Sequence, residues 1–105
     1  MKKILIIGSG GREHTLAWKL VDDKKVKKVY CLPGNGGTES IAENVNIEIN
    51  NFNNIYNYVM SEKIDMIIVG PEAPLNDGIV DFFQEKNIAI FGPDKFASQL
   101  ECSKL

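Results

Sequence analysis

Residues 3–11 have the sequence KILIIGSGG, in which four consecutive apolar residues lead into a glycine-rich turn. A strand that is apolar at every position is typical of a parallel sheet covered by helices on both faces. The same pattern recurs at residues 66–70, MIIVG. These two stretches therefore predict two central strands of an α/β sheet, each followed by a glycine.

Three further strands and three helices are predicted around this pair. Val29–Leu32 and Ile88–Phe91 are short apolar or β-rich runs, and strict alternation at Val45, Ile47 and Ile49 predicts an edge strand with one wet face. Helical spacing relates the apolar residues of three intervening stretches, which are Leu16, Ala17, Leu20 and Val21; Phe52, Ile55, Tyr56, Val59 and Met60; and Ile79, Val80 and Phe83. We expect a three-layer, doubly wound, mainly parallel five-stranded sheet of order 3-2-1-4-5.

Composition indicates one soluble globular domain over residues 1–105. The chain is 44% hydrophobic and 25% charged with a formal net charge of −2, so neither a nucleic-acid nor an anionic-membrane footprint is present. An apolar run long enough to span a bilayer is absent, as is an export signal, and the two cysteines form no C-x-x-C pair. These features predict a cytoplasmic protein with free thiols. Because 105 residues are few for an enzyme with two substrate sites, we expect a fragment of a longer protein.

The predicted strand order reverses between strands 1 and 4. In open α/β sheets such a reversal opens a crevice at the carboxyl ends of the strands, where ligands bind. The two turns that flank this crevice are Gly8–Glu13 and Gly70–Leu75. The topology therefore selects these two segments as the candidate site.

The first turn has the composition of a phosphate site. Ser9, Gly10 and Gly11 let the backbone approach a ligand, and the amide groups and dipole at a helix start attract negative charge. Arg12, the only arginine of the chain, has the geometry to clamp a phosphate bidentately. The alternatives are a tight turn without a ligand and, for Arg12, an exposed side chain in the first helical turn.

A dinucleotide is disfavoured as the ligand of this turn. The dinucleotide fingerprint needs a third glycine where Glu13 stands, and it needs an acid at the end of strand 2, where this chain has residues 30–33, YCLP. A Walker loop is absent as well. The alternatives that stay open are a dinucleotide-binding domain of an oxidoreductase and a flavodoxin-like module without chemistry of its own.

The other candidate residues carry weaker signals. Asn35 and Gly36, in the loop after strand 2, either contact a sugar or belong to an ordinary flexible turn. Glu72, held between two prolines, is a candidate ligand contact at the crevice. His14, the only histidine, is interpreted as a packed or capping side chain. No residue is predicted to be catalytic or to bind a metal.

Five motifs in this order and spacing resemble the amino-terminal domain of the glycinamide ribonucleotide synthetase (phosphoribosylamine-glycine ligase) family. The resemblance covers essentially the whole chain, and one departure from the family is that alanine is usual at Gly36 or Gly37. The motifs are GSGGREH at 8–14, WKL at 18–20, PGNGGT at 33–38, VGPEAPL at 69–75 and FGP at 91–93.

The resemblance implies a Rossmann-like pre-ATP-grasp domain of an ATP-dependent ligase of purine biosynthesis. Such a ligase activates glycine as an acyl phosphate and joins it to the amine of 5-phosphoribosylamine. It also implies that ATP and Mg²⁺ or Mn²⁺ bind beyond Leu105, that the fragment alone is inactive, and that the enzyme is a monomer with small-molecule substrates only. Carried over from the family, the substrate phosphate contacts are Ser9, Gly10, Gly11 and Arg12, and the sugar or amine contacts are Asn35, Gly36 and Glu72.

Overall fold

The computed structural model of this chain describes residues 2–8, 11–33, 41–70 and 78–92, with the backbone alone at 11–13. These ranges contain five strands and three helices, and none of the three helices is long and apolar enough to cross a membrane. In chain order the elements are β1 (Lys2–Gly8), α1 (Gly11–Val21), β2 (Val26–Pro33), β3 (Glu43–Asn44), α2 (Phe52–Glu62), β4 (Met66–Val69), α3 (Ile79–Glu85) and β5 (Ala89–Phe91).

The strands form one sheet in the order β3-β2-β1-β4-β5, and every pairing is parallel. This confirms the predicted order and the doubly wound architecture. Ile4, Ile6 and Ile7 of β1 pair with Met66, Ile68 and Val69 of β4. The two apolar stretches that decided the fold are therefore neighbours at the centre of the sheet.

Two apolar cores cover the two faces of the sheet, as expected for strands that are apolar throughout. On one face Leu5 and Ile7 of β1 pack with residues of α2 and α3, among which Ile55 and Phe83 are fully buried. On the other face Ile4 and Ile6 pack against α1 through Ala17 and Leu20. The helix–sheet–helix layering follows from this alternation of side chains along β1.

Helix α2 has a defined start and end. The Asn51 side chain accepts a hydrogen bond from the Asn54 N–H at 3.2 Å, which satisfies one of the free donors of the first turn. Lys63 ends the helix in a left-handed conformation with φ of 57°. The predicted apolar stripe of α2 is only partly buried, because Ile55 and Val59 face the core whereas Met60 is 55% exposed.

The prediction of an edge strand at Val45, Ile47 and Ile49 was wrong in its location, although its place at the edge was right. Strand β3 is Glu43–Asn44, and Val45 makes the last contact with β2 by donating its N–H to the Cys31 carbonyl at 2.7 Å. The Ile47 N–H then bonds to the Val45 carbonyl, so the chain has left the sheet. The alternation of burial continues because the two isoleucines pack against the core from an irregular segment.

A polar network joins β2, β3 and α2. The Glu43 carboxylate accepts hydrogen bonds from Lys28 Nζ at 2.9 Å and from the Tyr58 hydroxyl at 3.0 Å, and these bonds lower the pKa of Glu43. Burial and the bond to Glu43 raise the pKa of Tyr58. The Tyr30 hydroxyl donates to Glu62 at 3.3 Å, and the rings of Tyr30 and Tyr58 meet edge to face at 5.8 Å. These bonds hold the short edge strand β3 against β2 and α2.

Candidate functional site

The carboxyl ends of β1 and β4 meet at one edge of the sheet. Ile7 pairs with Val69, and the Gly70 N–H extends this pairing by donating to the Ile7 carbonyl at 2.9 Å. The chain therefore leaves the two strands from adjacent positions. These are the positions where the reversal of strand order was predicted to open a crevice.

Gly8 ends β1 with a φ of 150°, a conformation that side-chain-bearing residues rarely adopt. Helix α1 begins at Gly11, so two residues connect the strand to the helix. A helix start presents free N–H groups and the positive end of the helix dipole. The end of β1 and the start of α1 are therefore arranged as the strand end and helix start are in anion-binding sites.

The end of β2 lies beside the end of β1, since Gly8 pairs in register with Pro33. The peptide bond between Leu32 and Pro33 is cis. The ends of β2, β1 and β4 thus stand side by side at this edge, in that order. Each of the three segments that carry predicted site residues starts from one of these ends.

The predicted site residues themselves lie largely outside the described part of the chain. Ser9, Gly10, Asn35, Gly36 and Glu72 belong to segments that the structure does not describe. Gly11 and the only arginine, Arg12, belong to the first turn of α1 by their backbone, but their side chains are not described. Their contacts with a substrate stay predictions.

Among the other candidate groups, His14 is half-buried and lines a surface groove with Thr15, Trp18 and Ile41. Cys31 is buried in β2, whereas Cys102 lies outside the described residues. Within the described ranges, the acidic, histidine and cysteine side chains form no cluster of three or more that could hold a metal ion.

Trp18 is a surface feature that the sequence analysis did not single out, although it belongs to one of the quoted motifs. Its side chain is 58% exposed, whereas Ala17 and Leu20 of the same helix are buried. The signal was available in the helical spacing, because position 18 falls outside the stripe formed by residues 16, 17, 20 and 21.

The comparisons with known proteins agree on one family. Residues 2–101 match the family model of the phosphoribosylglycinamide synthetase N domain. A phosphoribosylamine–glycine ligase of Clostridium acetobutylicum is 54% identical over 104 residues, which are 97% of this chain and 24% of that protein. Ligases of the same name from Nostoc sp. and Synechocystis sp. are 44% and 49% identical, again over 97% of this chain and over 24% and 25% of their own lengths.

The chain spans about a quarter of the length of these curated relatives. The matched family model covers nearly all of the chain, including the strand ends that form the candidate site. The all-parallel sheet, the strand order and the sequence identity agree, and the chain belongs to the phosphoribosylglycinamide synthetase N-domain family.

Proposed function

We propose that this chain is the substrate-binding N domain of a phosphoribosylamine–glycine ligase, which joins glycine to 5-phosphoribosylamine in de novo purine biosynthesis. The observation that carries the proposal is the connection from β1 to α1 at the point where the strand order reverses. Gly8 has a φ of 150°, α1 begins at Gly11, and the end of β4 is hydrogen-bonded beside them. The names of the relatives support the same activity.

The phosphate of the substrate would bind at the start of α1. There the backbone amides of Ser9, Gly10 and Gly11 donate to the phosphate oxygens, and Arg12 adds a charge-assisted bond. Asn35 and Gly36, after β2, and Glu72, after β4, contact the sugar or the amine. The adjacency of the three strand ends supports one shared substrate for these residues.

The remaining chemistry belongs to the longer ligase. ATP supplies the phosphoryl group that activates the glycine carboxylate, and its ligands and those of Mg²⁺ or Mn²⁺ lie outside these 105 residues. The domain alone is accordingly inactive, and its role is to hold and orient the phosphoribosyl half of the reaction. We further propose that the complete enzyme is a cytoplasmic monomer that acts on small molecules only.

The proposal is tested by the Arg12→Ala variant of the complete ligase. Loss of one charge-assisted hydrogen bond costs about 1.5–3 kcal/mol, so the KM for 5-phosphoribosylamine is expected to rise by about 10- to 100-fold. The KM for ATP and for glycine stays within twofold, as a rough bound, because Arg12 contacts neither. Steady-state kinetics with each substrate varied in turn measures the three constants.

Lys19→Ala is the matched control, because Lys19 is an exposed cation in the last turn of the same helix. Its KM values are expected to equal those of the wild type. An Arg12→Ala variant that behaves like the control would remove Arg12 from the site. Thermal stabilisation of the ligase by NADH, with none by glycinamide ribonucleotide, would instead support the dinucleotide-binding alternative.

A further inference from the structure

One face of the domain carries an exposed apolar surface. Trp18 is 58% exposed and Val21 is 39% exposed on α1, and the half-buried Ile41 and Ala42 lie beside them ahead of β3. We refer to these four residues as the Trp18 face. It lies over the core that α1 forms with the sheet, on the side opposite to α2 and α3.

The Trp18 face is continuous, because two surface grooves meet at Ile41. One groove is lined by Trp18 and Ile41 together with His14 and Thr15. The other runs from Val21 past Ile41 and Ala42 towards the edge strand, where Lys28 and Glu43 are each nearly half exposed. An apolar centre with a charged border is the arrangement of a protein–protein contact.

The other large exposed apolar side chain of the described residues provides a contrast. Met60 of α2 is 55% exposed, nearly as much as Trp18, but it lies on the opposite side of the sheet and lines neither groove. Single exposed apolar side chains are normal on protein surfaces. Protein interfaces, by contrast, are enriched in tryptophan, and Trp18 belongs to a continuous apolar surface.

We propose that the Trp18 face is the surface on which the part of the ligase that follows residue 105 packs. This inference rests on the proposed function, under which about three quarters of the enzyme lies outside this chain. That length of chain is large enough to form further domains, and contact with one of them would remove the apolar surface from water.

The same contact would fix the position of the candidate substrate site relative to the rest of the ligase. Trp18 lies seven residues after Gly11 on α1, which is about 10 Å along the helix axis. A domain that packs on Trp18 therefore fixes the helix whose start carries the candidate phosphate turn. Trp18 is in this sense a positioning residue, because it orients the turn towards the rest of the active site without touching the substrate.

Hydroxyl-radical footprinting of the complete wild-type ligase tests the proposal, since Trp and Met are both reactive side chains. Trp18 is expected to be as protected as the fully buried Phe83, whereas Met60 stays reactive. Reactivity of Trp18 equal to that of Met60 would overturn the proposal. Protection that depends on protein concentration would overturn it as well, because it would indicate a second copy of the chain.

Trp18→Ala and Met60→Ala in the complete ligase locate the partner surface. In Trp18→Ala, side chains beyond residue 105 are expected to become reactive and the KM for 5-phosphoribosylamine to rise, while Met60→Ala changes neither. Newly reactive side chains confined to residues 1–105 would contradict the assignment. Turnover of the wild type is measured separately: an inactive wild type refutes the proposed function, whereas an active wild type with a reactive Trp18 refutes the docking surface alone.

Discussion

Gly8 shows how a single residue sets the geometry of the site. Its φ of 150° lets β1 end and α1 begin within two residues, and a Cβ at this position would strain the backbone. Gly8→Ala is expected to destabilise the domain by about 1–3 kcal/mol, the usual cost of a residue held in a sparsely populated conformation. Chemical denaturation of the 105-residue chain measures the change.

Gly92 supplies the control for this prediction, because it follows β5 at the same edge of the sheet. It has no positive φ, and a Cβ there would meet nothing within 4 Å. Gly92→Ala is expected to be neutral or to stabilise by up to about 1 kcal/mol, through the loss of unfolded-state entropy. Equal destabilisation by both substitutions would show that the φ of Gly8 is not the cause.

Single residues also show where sequence reasoning stops. A glycine directly after an apolar strand is visible in the sequence, and so is the scarcity of arginine and histidine. The bond from Tyr58 to Glu43 is not, because the residues are 15 positions apart and meet only when α2 packs on the face of the sheet where β3 pairs with β2. The substrate contacts of Ser9, Arg12 and Glu72 stay predictions for a different reason, since they depend on backbone or side-chain atoms outside the described part of the chain.

At the scale of elements, sequence analysis located β4 and β5 to within one residue, and it located the buried apolar run of β1. Residues 4–7 of β1 and residues 66–69 of β4 are all apolar, and a run of four residues is too short for a helix. The edge strand was misplaced because alternation reports a half-buried segment, not the hydrogen bonds that define a strand. Strand β2 ends at Pro33, which has no N–H to donate, so β3 has few partners beyond Val45.

The attachment of β3 to its neighbours is expected to depend on pH through Glu43. The hydrogen bonds from Lys28 and Tyr58 lower the pKa of Glu43 from its ordinary 4.5. The stabilisation of the folded state by these two bonds is therefore complete above pH 4.5 and is lost as pH falls through the lowered pKa. Glu43→Gln is therefore expected to lower the Tm at pH 7, by an amount that shrinks steadily below pH 4.5. Thermal unfolding across this range measures both effects.

Glu48→Gln is the matched control, because Glu48 is an exposed glutamate in the segment that follows β3. The effect on Tm at pH 7 is expected to be small for Glu43, since the ion pair with Lys28 is nearly half exposed, and absent for Glu48. A Tm difference between Glu43→Gln and wild type that is the same at pH 3 and pH 7 would contradict the role assigned to the carboxylate.

At the scale of the whole molecule, the order of the strands is what places the site. The β-α-β alternation, the edge position of strand 3 and the central positions of strands 1 and 4 together predicted the order 3-2-1-4-5, which the structure confirms. The order determines which loops meet, so the ends of β1 and β4 could be predicted from the sequence as the candidate substrate site. The order does not determine what covers the outer helices. Helical spacing placed Trp18 outside the buried stripe of α1, and the structure shows that it is 58% exposed.

The same topology leads to a prediction about Glu72 in the complete ligase. Glu72 follows Gly70, whose N–H is bonded to the Ile7 carbonyl, so the segment that carries it departs from beside the candidate phosphate turn. If this segment and the candidate phosphate turn bind the same molecule of 5-phosphoribosylamine, Glu72→Gln loses a charge-assisted bond to the sugar or amine. The KM for that substrate then rises by about tenfold or more. Steady-state kinetics measures the KM, with the KM for ATP expected to be unchanged.

Glu85→Gln is the control for this variant, because Glu85 is an exposed carboxylate at the far end of α3, which starts at Ile79 near the carboxyl edge of the sheet. A rise in KM in Glu72→Gln alone would place the carboxylate at the substrate. Unchanged turnover and KM in both variants would exclude Glu72 from the site and confine substrate binding to the segments after β1 and β2. A fall in turnover at unchanged KM would mean that the charge of Glu72 acts on the transition state, for instance by orienting the amine as it attacks activated glycine.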